Sequence, residues 1–269
     1  MTPHMADMDP PGPDTKPDAD LPASLTRLTF HGPLSEARAG RLVGRLTRTH
    51  PATVLDIGCG WGELMLRVLT AAPGATGVGL DTDEGDLTRG RGNARARGLE
   101  DRVTFVRESG VGITRGPADL VLCVGASHAL SDAPPPEHTG AALRALRRLV
   151  TPGGWVLLGE GFWQRTPTDA ELAAMWPGAS AGEYHDLAGL VDLAVDAGFR
   201  PAWIETASLQ EWEDFESGYQ YDEEEWLATH HDHPRAAGIR ERVDKHRSHW
   251  LRGYYGILGI AYLTLIPVG

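Results

Sequence analysis

Val54-Leu55-Asp56-Ile57-Gly58-Cys59-Gly60-Trp61-Gly62-Glu63 is the stretch that decides the fold. A short apolar run, broken by one acid, leads into three glycines at alternate positions. That order predicts a buried parallel strand ending in a tight turn, because glycine takes positive φ at no steric cost. A helix is expected from about Glu63, with Leu64, Met65, Val68 and Leu69 on one packed face. The first N–H groups of such a helix have no partner within it. The turn is therefore read as a site for something flat or charged.

The third glycine arrives one residue earlier than in the G-x-G-x-x-G fingerprint of dinucleotide-binding turns. Asp56 stands before the first glycine, where a carboxylate would repel a pyrophosphate and suit a cation. Gly77-Val78-Gly79-Leu80-Asp81-Thr82-Asp83 is a second short strand ending in an acid. Asp81 lies 25 residues after Asp56, about one strand-helix-strand unit. A carboxylate at that tip can accept both hydroxyls of a ribose. An NAD(P)-dependent oxidoreductase would share Asp81 but would not need Asp56, and the chain has no Tyr-x-x-x-Lys pair.

With these two segments the chain resembles the class I S-adenosylmethionine-dependent methyltransferases. Ala118-Asp119-Leu120-Val121-Leu122-Cys123-Val124 is similar to the family's fourth strand. Leu143 to Leu158, with Thr151-Pro152-Gly153-Gly154 at its turn, is similar to its next helix and fifth strand. Tyr184-His185-Asp186, Glu211-Trp212 and Trp250 to Leu263 resemble a bacterial small-molecule subgroup. The resemblance implies an α/β fold, a Rossmann-like seven-stranded mixed sheet of order 3-2-1-4-5-7-6 flanked by helices, with the last strand antiparallel. It implies S-adenosyl-L-methionine as cofactor. Asp56, Gly58 and Gly60 would border its methionine and ribose part, Asp81 and Thr82 its ribose, and Gly125 its methionine end. Glu108 and Ser109 share the place where the family usually keeps an acid for the adenine.

Elsewhere strands and helices alternate, which argues a parallel sheet covered on both faces. Residues 35–49 read as a leading helix, Arg102 to Val106 as the third strand, Pro201 to Thr206 as the sixth and Ile257 to Ile266 as the last. Asp186 reads as the N-cap of a helix that buries Leu187, Leu190, Val191, Ala194 and Val195. Segments 161–185 and 207–250 break the alternation after strands 5 and 6. Both are rich in Trp and Tyr, and long connections of this kind often act as lids. Residues 1–21, rich in Pro and Asp, read as a disordered tail ahead of a single domain, 22–269.

Composition bounds the partners. The formal net charge is -12, with 41% hydrophobic and 23% charged residues. A nucleic-acid substrate usually leaves a basic footprint, so none is expected. No apolar run is long enough to span a membrane, and no secretory signal is evident at the N-terminus. With two cysteines, Cys59 and Cys123, both inside predicted strand regions, reduced thiols and a cytoplasmic location are expected.

The catalytic candidates are His128, in the loop after the fourth strand, His185, and Glu160 at the expected end of the fifth. His128 is either a general base or an orienting group, since histidine titrates near neutrality. Glu160 could hold an acceptor amine or hydroxyl, or be an ordinary strand-end carboxylate. His230-His231-Asp232-His233 lacks helical i, i+4 spacing, so no metal site is expected. The expected function is methyl transfer to an O, N or C atom of a small molecule, with aromatic and heteroaromatic metabolites foremost. The rivals are a cofactor-binding protein without methyl transfer, a cofactor-dependent rearrangement or cyclisation, and the oxidoreductase above. The aromatic insertion could also carry a homodimer contact.

Overall fold

The computed structural model describes residues 21–269. The predicted tail lies outside them, apart from Leu21, which packs against the cluster around Trp226, Ile239 and Val243. Seven strands alternate with helices: β1 Thr53–Ile57, β2 Thr76–Asp81, β3 Val103–Arg107, β4 Ala118–Val124, β5 Val150–Trp163, β6 Phe199–Thr206 and β7 Leu258–Pro267. They form one sheet in the order β3-β2-β1-β4-β5-β7-β6. β1 through β5 are parallel, and β7 runs antiparallel to both β5 and β6. This is the predicted order.

The helices fall into two layers. α1 Glu36–Leu46, α2 Glu63–Ala71 and α3 Glu84–Ala96 share one apolar cluster with Leu120 and Leu122 of β4. α4 Glu137–Leu149 and α6 Leu187–Asp196 share the other, with Val121 and Cys123 of the same strand. Alternate residues of β4 thus serve opposite faces, and both faces are covered, as a parallel sheet requires. Leu42 and Leu46 anchor α1 at 0% exposure. Burying such a leucine contributes about 1.5–3 kcal/mol. In α6, Leu190 and Ala194 are buried while Val195 is exposed, so the buried stripe is narrower than the sequence pattern suggested.

Two boundaries differ from expectation. β5 does not end at Glu160 but continues to Trp163, because β7 pairs with it as far as Trp163↔Leu258. Phe162 and Trp163 then face opposite layers and bury in each. The first insertion accordingly starts after Trp163, not at 161, and holds the short helix α5 Asp169–Ala174. The second insertion is a helical pair, α7 Leu209–Thr229 and α8 Ala236–Ser248, followed by a π-helical turn His249–Tyr254. Ser208 caps α7 in a reciprocal capping box with Glu211. Trp163 of β5 is buried in the same cluster as Trp176, Tyr184, Trp212, Phe215 and Tyr254, which follow β5 and β6. They are mainly shared core, not an open aromatic cage.

Candidate functional site

The predicted turn is built as its glycines imply. Gly58, Gly60 and Gly62 have φ of 63°, 53° and 68°. A Cβ on Gly58 would fall inside the Cβ of Ala126, so this glycine also lets the loop after β4 press against the turn. Gly62 is the N-cap of α2 and gives it no side-chain cap, leaving the first helical N–H groups to the turn.

Asp56 and Asp81 stand at the carboxyl ends of β1 and β2. Asp81 is clipped to the turn: its Oδ2 accepts from Gly60 N–H at 2.7 Å. Its Oδ1 accepts from Thr82 N–H at 2.7 Å and Asp83 N–H at 3.0 Å. A carboxylate has about four lone-pair sites, so one on Oδ2 stays open for a ligand hydroxyl. Asp56 is 6% exposed. Burial first, and the charge of Asp81 second, push its carboxyl up to about 8. A buried acid in this state favours a positively charged ligand, which a pyrophosphate is not.

A strap of residues 25–33 crosses this turn, and sequence reasoning missed it. Thr29 C=O accepts from Trp61 Nε1–H at 2.8 Å. His31 stacks on Trp61 at 4.9 Å, and its Nδ1 lies 3.5 Å from Asp86 Oδ2. The Arg89 guanidinium sits 3.8 Å from the Trp61 ring centroid and donates to the Leu25 and Leu28 carbonyls. Trp61 is thereby held between α3 and the strap. No periodicity in 25–33 could have signalled this.

Beyond β3, Glu108 N–H donates to Asp81 C=O at 3.0 Å, which brings this loop to the same end of the sheet. The Glu108 carboxylate accepts from Arg115 at 2.8 Å, and the exposed Ser109 accepts from Val111 N–H at 3.2 Å. Both predicted adenine-side residues are therefore next to Asp81, each with a local partner.

The third group lies after β4. Gly125 has φ of 68° and donates its N–H to Gly159 C=O at 2.8 Å. The short helical turn Ser127–Leu130 follows and carries His128. Glu160 lies within β5 at 5% exposure, with Oε1 accepting from Gly161 N–H at 3.1 Å and Oε2 without a partner. Burial raises its pKa, while a hydrogen bond from Ser127 opposes that. Tyr184 packs its ring against Gly161 and meets Trp163 edge-on at 5.0 Å. Its hydroxyl is buried without a partner, and burial, then Glu183 and Glu160, keep it protonated. His185 is half-buried, and its carbonyl accepts from Trp163 N–H at 2.9 Å.

His138, in the first turn of α4, was not predicted; nothing in its surroundings in sequence marks it. It is 7% exposed, and its Nδ1 has no partner. Desolvation lowers its pKa, and the nearby His185 adds to that. Desolvation also lowers His128, to about 4, although that residue is exposed overall. His128 and His138 are therefore neutral at pH 7.

The remaining candidates are structural. Cys59 and Cys123 are free thiols whose pKa values burial raises, so neither is a nucleophile. His230 stacks on Trp226 at 4.8 Å and His233 meets the same ring edge-on, while His231 pairs with Asp232 at the surface. Among the described residues there is no cluster of His, Cys, Asp or Glu that could hold a metal. None of the described helices is long and apolar enough to cross a membrane.

Residues 55–156 match the model of a family described as a methyltransferase domain. The uncharacterized protein YjhP of Escherichia coli is 28% identical over 217 residues, 80% of this chain and 84% of that protein. Its crystal structure gives a TM-score of 0.76 at 24% identity, over 88% of this chain and 95% of that one. A SAM-dependent methyltransferase of Geobacter sulfurreducens, solved with S-adenosyl-L-homocysteine, gives 0.77 at 23% identity, over 90% of this chain and 97% of that one. The 27-O-demethylrifamycin SV methyltransferase of Amycolatopsis mediterranei is 27% identical over 228 residues, 85% of this chain and 74% of that protein. The two structural likenesses concern the fold. The matched segment holds the glycine turn and its two acids, and the strand order is that of the fold these structures share.

Proposed function

We propose that this protein transfers a methyl group from S-adenosylmethionine to a small molecule. The observation that carries the reading is the adjacency of two sites at one end of the sheet. The Gly58–Ala126 contact joins the glycine turn to the loop that leads into Ser127 and His128. Beyond that loop lie buried polar atoms without partners, on Glu160, Tyr184 and His138. Such atoms cost free energy unless a ligand or water satisfies them.

The cofactor residues are Asp56, Gly58, Gly60, Asp81, Thr82, Glu108, Ser109 and Gly125. They fit the group on two counts. Asp56 is a buried acid that favours a cation, and the glycine turn lets a ligand approach the backbone. Bound there, the cofactor supplies an electrophilic methyl group on a sulfonium. Asp81 orients the ribose, and the loop from Gly125 sets the methionine end toward Glu160. The chain's contribution is mainly alignment, which in favourable cases supplies about 7–11 kcal/mol of barrier reduction. The insertions close over the acceptor and keep water out. The relative from Amycolatopsis mediterranei bears a name that denotes a small-molecule acceptor, which supports this class.

Calorimetry with S-adenosylhomocysteine tests the first half. Micromolar binding that falls at least about tenfold in Asp81→Ala is expected. Absence of binding by the folded chain at millimolar ligand overturns the proposal.

A further inference from the structure

The strap of residues 25–33 touches both the glycine turn and the second insertion. It has no helix or strand of its own. Side chains of other elements hold its carbonyls: Arg89 those of Leu25 and Leu28, Trp61 that of Thr29, and Tyr262 that of Pro33. Its middle lies on the turn. A Cβ on Gly60 would meet His31 Nδ1 at 3.4 Å and Asp86 Oδ2 at 3.6 Å. His31 also stacks on the next residue, Trp61. Gly60 itself gives its N–H to Asp81 Oδ2. Whatever settles Gly60 and Trp61 therefore settles His31.

The flanks of the strap lie on α7. Thr26 donates its N–H and its hydroxyl to the Asp222 carboxylate at 2.7 and 2.5 Å. Arg27 covers the Tyr221 ring at 4.4 Å. Leu28 fills the space beside Gly218, where a Cβ would meet its Cδ2 at 2.7 Å. Just past the strap, Ser35 donates its N–H and hydroxyl to Glu211 Oε1 at 3.1 and 2.6 Å. The contacts run back along α7 as the chain runs forward, so strap and helix lie antiparallel. Glu211, Gly218 and Asp222 are seven and four residues apart, which places them on one stripe of the helix. The neighbouring stripe faces the insertions. Its Trp212 and Phe215 are buried in the cluster that holds Trp163, Trp176 and Tyr184, and its Glu216 accepts from Tyr254 Oη at 2.8 Å. One helix thus carries the strap on one side and the aromatic core of the insertions on another.

We propose that the strap couples cofactor binding at the glycine turn to the placement of α7 and the aromatic core it carries. This rests on the methyl-transfer reading above. With the turn settled by its ligand, Trp61 and His31 hold the strap in one position. The strap in turn holds α7 through Asp222, Gly218 and Glu211. Contiguous packed side chains and hydrogen bonds of this kind carry coupling between sites. Coupling of binding free energies is reciprocal. Loosening α7 from the strap therefore weakens cofactor binding, although the residues of the turn are unchanged. A tie that served stability alone would lower Tm and leave cofactor affinity as it was.

The test is amide hydrogen exchange of the full chain with and without saturating S-adenosylhomocysteine, alongside calorimetry with the same ligand. In the parent the ligand should slow exchange at least about fivefold both in 25–33 and in 209–229. Asp222→Ala removes both strap bonds to Thr26 and leaves the turn's own residues in place. It should bind S-adenosylhomocysteine about fivefold more weakly and lose most of the slowing in 209–229. Glu224→Ala, on α7 but paired with Arg247 of α8, should bind within about twofold of the parent and keep the slowing. Slowing confined to the turn and strap of the parent overturns the proposal. So does parent affinity with parent slowing in Asp222→Ala, or a Glu224→Ala that behaves like Asp222→Ala. If Asp222→Ala does not fold, the parent measurement decides alone. A folded parent that binds no S-adenosylhomocysteine defeats the cofactor reading itself. Binding without slowing in 209–229 defeats the coupling alone.

Discussion

Replacing Asp56 by asparagine should make the cofactor-free protein more stable at alkaline pH. The folded state holds the Asp56 proton up to about pH 8, while the model value for the unfolded chain is 3.8. Between those values the folded state binds more protons than the unfolded one. Stability therefore falls as pH rises through that window and levels off above it. At about 1.4 kcal/mol per pH unit, the interval sets a ceiling of about 6 kcal/mol. Relaxation and water penetration raise the effective dielectric, so about 2–3 kcal/mol is the expected difference. Asparagine has no proton to lose and keeps the shape. Urea unfolding of both proteins at about pH 5 and pH 9 measures the effect. The variant should gain about 2–3 kcal/mol over the parent at the higher pH and much less at the lower. A stability difference independent of pH would refute the reasoning, because burial would then not be holding the proton.

Three further outcomes follow from the same geometry. Gly58→Ala should lower stability by about 2–4 kcal/mol, seen as a drop in Tm, since the new Cβ meets Ala126 at a φ of 63°; an unchanged Tm would mean the loop after β4 is not fixed there. His246→Ala should cost about 3 kcal/mol in urea unfolding, because it strips the 2%-exposed Glu216 of a 2.7 Å partner and leaves Tyr254 Oη–H at 2.8 Å as its other contact; a loss under about 0.5 kcal/mol would show that Glu216 is solvated. Cys123, at 0% exposure, should react with a thiol reagent only as slowly as the chain opens; rapid labelling of Cys123 in the folded chain would contradict the packing.

The legible part of this chain is the part governed by local rules. Alternate glycines fixed three positive φ angles, and the acids after two short apolar runs landed at adjacent strand ends. Asp186 caps its helix as predicted, its side chain accepting from Gly189 N–H. The strand order came from the family resemblance, not from spacing. Glu160 was misread because a carboxylate after Leu157-Leu158-Gly159 resembles a strand end. β7, about a hundred residues later in the chain, supplies the pairing that carries β5 past it. His138 and the strap through His31 were invisible for a related reason. Their partners, His185 and Trp61, are brought to them by tertiary packing, and neither pair has a sequence spacing to detect.

The central claim is that the glycine turn and its two acids grip an adenosyl sulfonium. Isothermal titration of the folded chain with S-adenosylmethionine and, separately, with NAD+ tests it most directly. The account predicts micromolar binding of S-adenosylmethionine with release of about one proton at pH 7, as Asp56 ionises against the cation, and no binding of NAD+. Binding of NAD+ with none of S-adenosylmethionine would contradict it.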